Sequence, residues 1–415
     1  MPQHLDILKN ADSLVYDAIM AETARQQDGI EMIPSENYVS EAVMDTIGSV
    51  LTNKYSEGYP SKRYYGGNEH IDVIENLARN RAKELFGAEF ANVQPYSGSP
   101  ANLAVYYALA EPGDTILGMS LPDGGHLTHG WKVSFSGRFY NPVQYGVNPE
   151  TGLLDYDEVA RLAKEHKPKL IWAGSSAYAR EIDFNKFAQI AEDVGAHLCS
   201  DIAHISGLVA TGLHSDPVPV SAAVTMTTHK MLRGPRGAMI LCKKTHSKAV
   251  NKAIFPALQG GPHNQTTAGI AVCLGEALQP EYKAYCEQVI SNAKVLAEVL
   301  MERGLKVATG GTDNHIVLVD LTATGVTGKE AQVALDHANI TTNANTVPGE
   351  TRSAFNPSGI RLGTSAATTR GLGNDEMKLI GGWFADVVEG AEDESVISRV
   401  KSEVVEMCGR FPLWY

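Results

Sequence analysis

Apolar residues fall along this chain in two alternating rhythms. Short apolar runs at 115–119, 169–173, 197–200, 222–226 and 238–242 have the length of strands buried on both faces. Between them, 156–166 and 184–194 carry apolar residues at helical spacing. Strand and helix in turn predict βαβ units and a mainly parallel sheet with helices on both faces. In such sheets ligands sit at the carboxyl ends of the strands. Ahead of this region, residues 11–28 place Leu14, Ile19 and Met20 at helical spacing and stop at Gly29, which predicts a peripheral arm. After it, a long helical pattern over 281–303 ends at Gly304. Beyond that, strands at 316–321 and 359–363 and helices at 329–337 and 375–388 predict a smaller α/β unit. The expected organisation is a helical arm at 1–30, a large domain at 31–278 and a small domain at 279–415.

Composition agrees with two domains, because single cores usually stop growing below the length of this 415-residue chain. Hydrophobic residues at 43% and charged residues at 20% describe a globular protein. The net charge of −13 has no basic cluster longer than Lys243-Lys244 to offset it, which argues against nucleic acid and anionic membranes as general partners. The five cysteines are odd in number, scattered and without a C-x-x-C pair, the pattern of reduced thiols in a cytoplasmic protein. Two of them, Cys199 and Cys242, fall in expected core strands. Neither a basic start followed by an apolar stretch nor a run of eighteen apolar residues occurs, so no signal peptide or membrane span is expected.

The stretch from Asp201 to Ala238 carries the chemistry. Asp201 ends one apolar run, and Lys230 follows Thr228-His229 just after another, ahead of a turn holding Arg233, Gly234, Pro235, Arg236 and Gly237. A pyridoxal-phosphate enzyme needs such a pair, an amine for a Schiff base and an anion for the pyridinium nitrogen. The two arginines would lower the pKa of the lysine and so activate it. Taken alone, Asp201 is also an ordinary turn residue and Lys230 an ordinary surface lysine.

Other stretches offer the remaining functions. In P-Y-S-G-S-P-A-N (95–102), Ser99 is expected as a helix N-cap with Pro100 at the first helical position, and free N–H groups there suit a phosphate. His126, among glycines in D-G-G-H-L-T-H-G, could stack on a flat ring; His204 would share a turn with Asp201. Arg361 in S-G-I-R-L-G-T suggests capture of a carboxylate, or else an internal salt bridge. The segment 55–69 is polar yet holds four tyrosines, the composition of an interface or a site, and Glu57 within it is a candidate acid–base group.

Quoted together, I-P-S-E-N-Y-V-S (33–40), N-K-Y-S-E-G-Y-P-S-K-R-Y-Y-G-G (53–67), A-N-V-Q-P-Y-S-G-S (91–99), G-G-H-L-T-H-G (124–130), D-I-A-H-I-S-G-L-V-A (201–210), T-T-H-K-M-L-R-G-P-R-G (227–237), Q-G-G-P (259–262), T-D-N-H (312–315) and S-G-I-R-L-G-T (358–364) resemble the serine hydroxymethyltransferase family. The likeness spans nearly the whole chain. It implies a fold-type I pyridoxal-phosphate enzyme with a seven-stranded, mainly parallel sheet, working as a homodimer or a dimer of dimers. The implied reaction converts L-serine and tetrahydrofolate reversibly to glycine and 5,10-methylenetetrahydrofolate through a Schiff base of the cofactor.

By the same resemblance Lys230, preceded by His229, is the Schiff-base lysine, Asp201 the pyridinium partner and His126 the stacking ring. Ser97, Gly98 and Ser99 hold the phosphate, with Tyr55 and Gly261 from a second subunit. Ser176 and His204 lie near the phenolic oxygen and substrate. Arg361 and Ser35 take the substrate carboxylate, while Glu57 and Tyr65 reach in from the neighbouring subunit for proton transfer. Leu121, Gly125, Leu127, Asn345, Ser353, Ala354 and Phe355 match folate positions. Departures from the family pattern fall at Pro34, Tyr96, Pro100, Asp123, Trp131-Lys132, Met226 and His263 to Gln265. The alternatives are a folate-independent aldolase or transaldolase on β-hydroxy or α-methyl amino acids, and a catalytically silent relative.

Overall fold

The computed structural model describes residues 5–415, so residues 1–4 of the expected arm lie outside the described residues. Seven strands build the main sheet: Phe90–Asn92 (β1), Thr115–Met119 (β2), Asn141–Tyr145 (β3), Leu170–Gly174 (β4), His197–Asp201 (β5), Ala223–Thr227 (β6) and Ala238–Cys242 (β7). They lie in the order β1-β7-β6-β5-β4-β2-β3. Every neighbouring pair is parallel except the two that β7 makes with β6 and β1. The fold-type I architecture expected from the motifs is therefore present. β7 runs backwards for a local reason: only residues 228–237 join it to β6, too few for the crossover that a parallel pair requires. That short return is the segment carrying Lys230.

The five strands expected from apolar runs are there, with ends shifted by a residue at most. Both faces of the sheet are dry, and successive side chains divide between two cores. Leu117, Ile171, Leu198, Val224 and Met239 enter one core. Ile116, Leu170, Trp172, Cys199 and Ile240 enter the other, against the helix Gly98–Leu109. All five cysteines are buried and unpaired.

A second, antiparallel sheet orders Lys306–Val307, Ile316–Asp320, Gly359–Gly363 and Asn343–Asn345 side by side. It has its own core, which also takes Ile30 and Met32 from the other end of the chain. The helix Pro280–Glu302 runs past both, giving Tyr282, Cys286 and Val289 to the first core and Ala293, Leu296 and Leu300 to the second. The arm is two helices, Leu5–Ala11 and Ser13–Asp28, instead of one, because the Asp12 side chain accepts from the backbone N–H of Val15 and starts a new helix. Neither helix buries a residue. No helix among the described residues is long and apolar enough to cross a membrane.

Candidate active site

Asp201 is the last residue of β5, at the carboxyl end of the parallel strands. Its Oδ2 accepts from Asn102 Nδ2 at 2.9 Å and lies 3.1 Å from His129 Nε2, and its Oδ1 accepts from the backbone of Ala203 at 3.0 Å. Burial alone would push this carboxyl up. The His129 hydrogen bond and the neighbouring imidazoles outweigh it and hold the pKa well below the usual range. Asn102 is oriented in turn by Thr225 Oγ1, which donates to its Oδ1 at 2.6 Å. The backbone N–H of His126 points at His129 Nδ1, which leaves the proton on Nε2, facing Asp201. His129 also stacks on Trp172, with centroids 5.5 Å apart.

Lys230 follows β6 by three residues and is buried. Burial, reinforced by the Arg361 and Arg236 cations, lowers its pKa from 10.5 to about 8, against the attraction of Asp201. Arg233, expected to share that task, lies instead over the ring of Tyr285, 4.2 Å from its centroid. The imidazoles around the amine are neutral at pH 7. Burial first, then nearby positive charge, lowers His126 to about 4 and His229 to about 3, and His204 far below its ordinary value. His204 stacks on His315, which burial likewise lowers to about 3. The cluster thus keeps one anion, Asp201, and draws its positive charge from Arg361, Arg236 and a readily deprotonated lysine.

Arg361 lies in the middle of the strand Gly359–Gly363. Its Nη1 donates to the Ser176 carbonyl and its Nε to Asn343 Oδ1 at 3.2 Å. Among the described residues no carboxylate pairs with it, so an internal salt bridge is absent. Ser35 follows a segment whose Met32 carbonyl accepts from the Gly363 N–H, which brings it beside that strand's end.

The helix over Gly98–Leu109 begins earlier than expected. Ser97 is its N-cap, with no partner for the side chain, and Gly98 is the first helical residue. Ser99 and Pro100 lie inside the first turn, which tolerates proline because its N–H groups have no intrahelical acceptor. Ser97, Gly98 and Ser99, the three residues matched to the phosphate, therefore all stand at this end. A side chain at Gly98 would meet Thr227 Cγ2 at 2.9 Å, so glycine is what lets the turn approach β6. Thr227 Oγ1 and His229 Nδ1, both buried, have no hydrogen-bond partner.

A second group gathers around Gly261, whose carbonyl accepts from the hydroxyl of Tyr96, the residue before Ser97. Tyr55 donates to Glu57 Oε1 at 3.0 Å, packs edge-on to Tyr65 at 5.0 Å, and lies so close over Gly261 that a Cβ there would be 3.2 Å from the ring. Both tyrosines are about half exposed (52% and 49%). No hydrogen bond or ion pair among the described residues joins Tyr55, Glu57 or Tyr65 to Asp201, Lys230 or Arg361. Near the Arg361 strand, Thr346 Oγ1 donates to the Pro122 carbonyl at 2.9 Å, which brings the loop of Leu121 beside Asn345 at the end of its strand. Gly125 is buried, Leu127 exposed, and Ser353, Ala354 and Phe355 form an exposed loop.

The sequence matches the serine hydroxymethyltransferase family over residues 8–384. Proteins named serine hydroxymethyltransferase from Legionella pneumophila strains Lens and Corby are each 56% identical to it over 409 residues, 98% of this chain and 98% of theirs. The chain belongs to the serine hydroxymethyltransferase family.

Where it departs from the family motifs quoted above, neighbouring residues accommodate the change. Tyr96 stacks on His263 with centroids 4.3 Å apart and planes 6° apart, and its hydroxyl donates to the Gly261 carbonyl at 2.7 Å, so two of the substitutions meet each other. Asn264 donates to the Lys54 carbonyl and accepts from Ser56, both at 2.6 Å, and so anchors the tyrosine-rich loop. Asp123 turns back to accept from Ser120. Met226 is core, and Pro34 packs on Gly363. Relative to the quoted motifs, the residues missed as site members are His129, the second histidine of H-L-T-H-G, and Asn102, which closes P-Y-S-G-S-P-A-N. Their signal was membership of those motifs; only the folded chain aims both at Asp201.

Proposed function

We propose that this protein is a pyridoxal-phosphate enzyme that interconverts L-serine plus tetrahydrofolate with glycine plus 5,10-methylenetetrahydrofolate. One observation carries the reading most directly. A buried lysine of lowered pKa lies within electrostatic reach of a firmly ionised aspartate and of an arginine that has no anionic partner. The residues fit the cofactor. The uncapped start of a twelve-residue helix at Ser97, Gly98 and Ser99 suits a phosphate, and Thr227, whose hydroxyl is unpartnered, packs against Gly98. Asp201 would hold the ring nitrogen protonated, His126 would lie on the ring, and Ser176 and His204 would stand near the phenolic oxygen. Bound there, the cofactor supplies an electron sink for the bond broken at the substrate Cα.

The chain's own residues would do the rest. Arg361, with Ser35, would pin the substrate carboxylate and so fix the orientation of the bonds at the substrate Cα. Neutral histidines leave that guanidinium without competing cations on nearby imidazoles. Glu57 and Tyr65, with Tyr55 and Gly261, would serve the site of a second copy, making the homodimer the catalytic unit. Glu57 would move the proton of the serine hydroxyl. Leu121, Gly125, Leu127, Asn345 and the loop Ser353 to Phe355 would take the folate. The buried, unpaired cysteines agree with a cytoplasmic location. The test is glycine formation from serine by purified protein, with and without tetrahydrofolate. A folate-dependent rate supports the proposal; equal rates would make the protein a folate-independent aldolase, and no reaction with added pyridoxal phosphate would end it.

A further inference from the structure

Asn37 lies in the segment between Met32 and the helix Glu41–Ile47, and every hydrogen-bonding position of its amide is used. Nδ2 donates to the Lys230 carbonyl at 3.0 Å and to the Tyr285 hydroxyl at 2.9 Å. Oδ1 accepts from Thr369 Oγ1 at 2.7 Å and from the Tyr38 N–H at 2.9 Å. Two donors and two acceptors exhaust what an asparagine has. Reversing the amide would set carbonyl against carbonyl at Lys230 and N–H against N–H at Tyr38, so the orientation is determined.

Three of the four partners come from separate parts of the fold, Tyr38 being the next residue in the chain. Lys230 stands on the return between β6 and β7, and Tyr285 on the helix Pro280–Glu302. Thr369 ends the helix Ser365–Thr369, which directly follows the strand of Arg361. The Lys230 carbonyl accepts a second bond, from the Arg233 N–H at 3.0 Å, and Arg233 itself is held at a φ of 57° with its guanidinium over Tyr285. The ε-amine has no hydrogen bond among the described residues. A four-carbon stem with a free end is only as well placed as the backbone it hangs from.

We infer that Asn37 is the positioning residue of Lys230, fixing the lysine backbone against the strand that carries Arg361. The inference rests on the proposed function, in which Lys230 bonds the cofactor. With all four positions of its amide used within the protein, Asn37 has none left for cofactor or substrate; it acts by setting the distance between the amine and the carboxylate-binding cation. Misplacement on the scale of an ångström costs about a hundredfold in an oriented reaction.

The experiment follows attachment of pyridoxal phosphate to the full-length protein, trapped by borohydride and located by mass spectrometry, across a pH series. Wild type labels at Lys230. Asn37→Asp keeps both acceptors and loses both donors; Asn37→Ala removes all four bonds without adding charge. Both are expected to label Lys230 about ten- to a hundredfold more slowly, with an altered pH midpoint, and to show kcat reduced more than KM is raised. Tyr285→Phe and Thr369→Val remove other bonds of the same cluster but leave the Asn37–Lys230 bond, and should keep the wild-type rate and midpoint. Folding of each is checked by circular dichroism, and either Asn37 variant that folds decides the matter. Labelling of a folded Asn37 variant at the wild-type rate overturns the inference while the proposed function stands. Equal slowing by Tyr285→Phe also overturns it, since the role would then be structural. Wild type that does not label at Lys230 removes the proposed function and this inference with it.

Discussion

Replacing Arg361 tests whether its charge is kept for a ligand or for the fold. A guanidinium has five N–H groups. Here the Nε–H and one Nη1–H are used within the protein, by Asn343 and the Ser176 carbonyl, which leaves three and no carboxylate partner. Burial lowers the pKa from 12.5 to about 10. At about 1.4 kcal/mol per tenfold, that burial costs the fold roughly 3 kcal/mol. Neutral pH lies below both values, so the cost is present in full. Arg361→Met would relieve it but would strip two acceptors of their donor at about 1 kcal/mol each. The ligand-free protein should therefore be unchanged or about 1 kcal/mol more stable by urea denaturation. Binding should respond oppositely. A fork of two charge-assisted bonds to a carboxylate, at about 1.5–3 kcal/mol each, amounts to roughly a 10²- to 10⁴-fold loss in kcat/KM for serine. Arg361→Lys, which keeps the charge but not the fork, should fall between. A variant with Met at this position that unfolds several kcal/mol more easily, or that loses less than tenfold in kcat/KM, would refute the reasoning, because the arginine would then be structural.

Further outcomes follow from the site. Lys230 is lowered to about 8, so attachment of pyridoxal phosphate should quicken about tenfold per pH unit up to that point and level off above it. The same lowering destabilises the fold below pH 8, and the loss is recovered as pH rises toward 10.5. Asp201→Asn removes the attraction that raises the lysine, and should move the midpoint lower; a midpoint near 10.5 in wild type would show the amine to be solvated. If Glu57 serves a neighbour's Lys230, then mixing Lys230→Ala with Glu57→Gln chains should restore about a quarter of wild-type activity through hybrid dimers holding one intact site. Two inactive parents that stay inactive after subunit exchange would place both residues in the same protomer's site.

Much of the frame could be read from the chain because burial on both faces writes itself as apolar runs, and βαβ alternation leaves few topologies. Thr115–Met119, Ala238–Cys242, Tyr156–His166 and Phe184–Val194 stand where periodicity placed them. The start of the helix at Ser97 rather than Ser99 was misplaced because Ser-Gly-Ser offers two equivalent caps, and the choice depends on how closely Gly98 can approach Thr227 across the sheet.

What the sequence by itself determined was which chemical groups exist and which strands carry or precede them: a carboxylate at the end of one at 201, an amine just beyond another at 230, a guanidinium within a third at 361. Only the tertiary structure decided their charge states and companions. A pKa depends on burial and on charges distant in sequence, and so does the partner of a buried amide. Asn102 and His129 reach Asp201 across 99 and 72 residues of chain, and Asn37 reaches Lys230 across 193. Local periodicity records the surface each residue hides; it contains no term for the residue that will be waiting there.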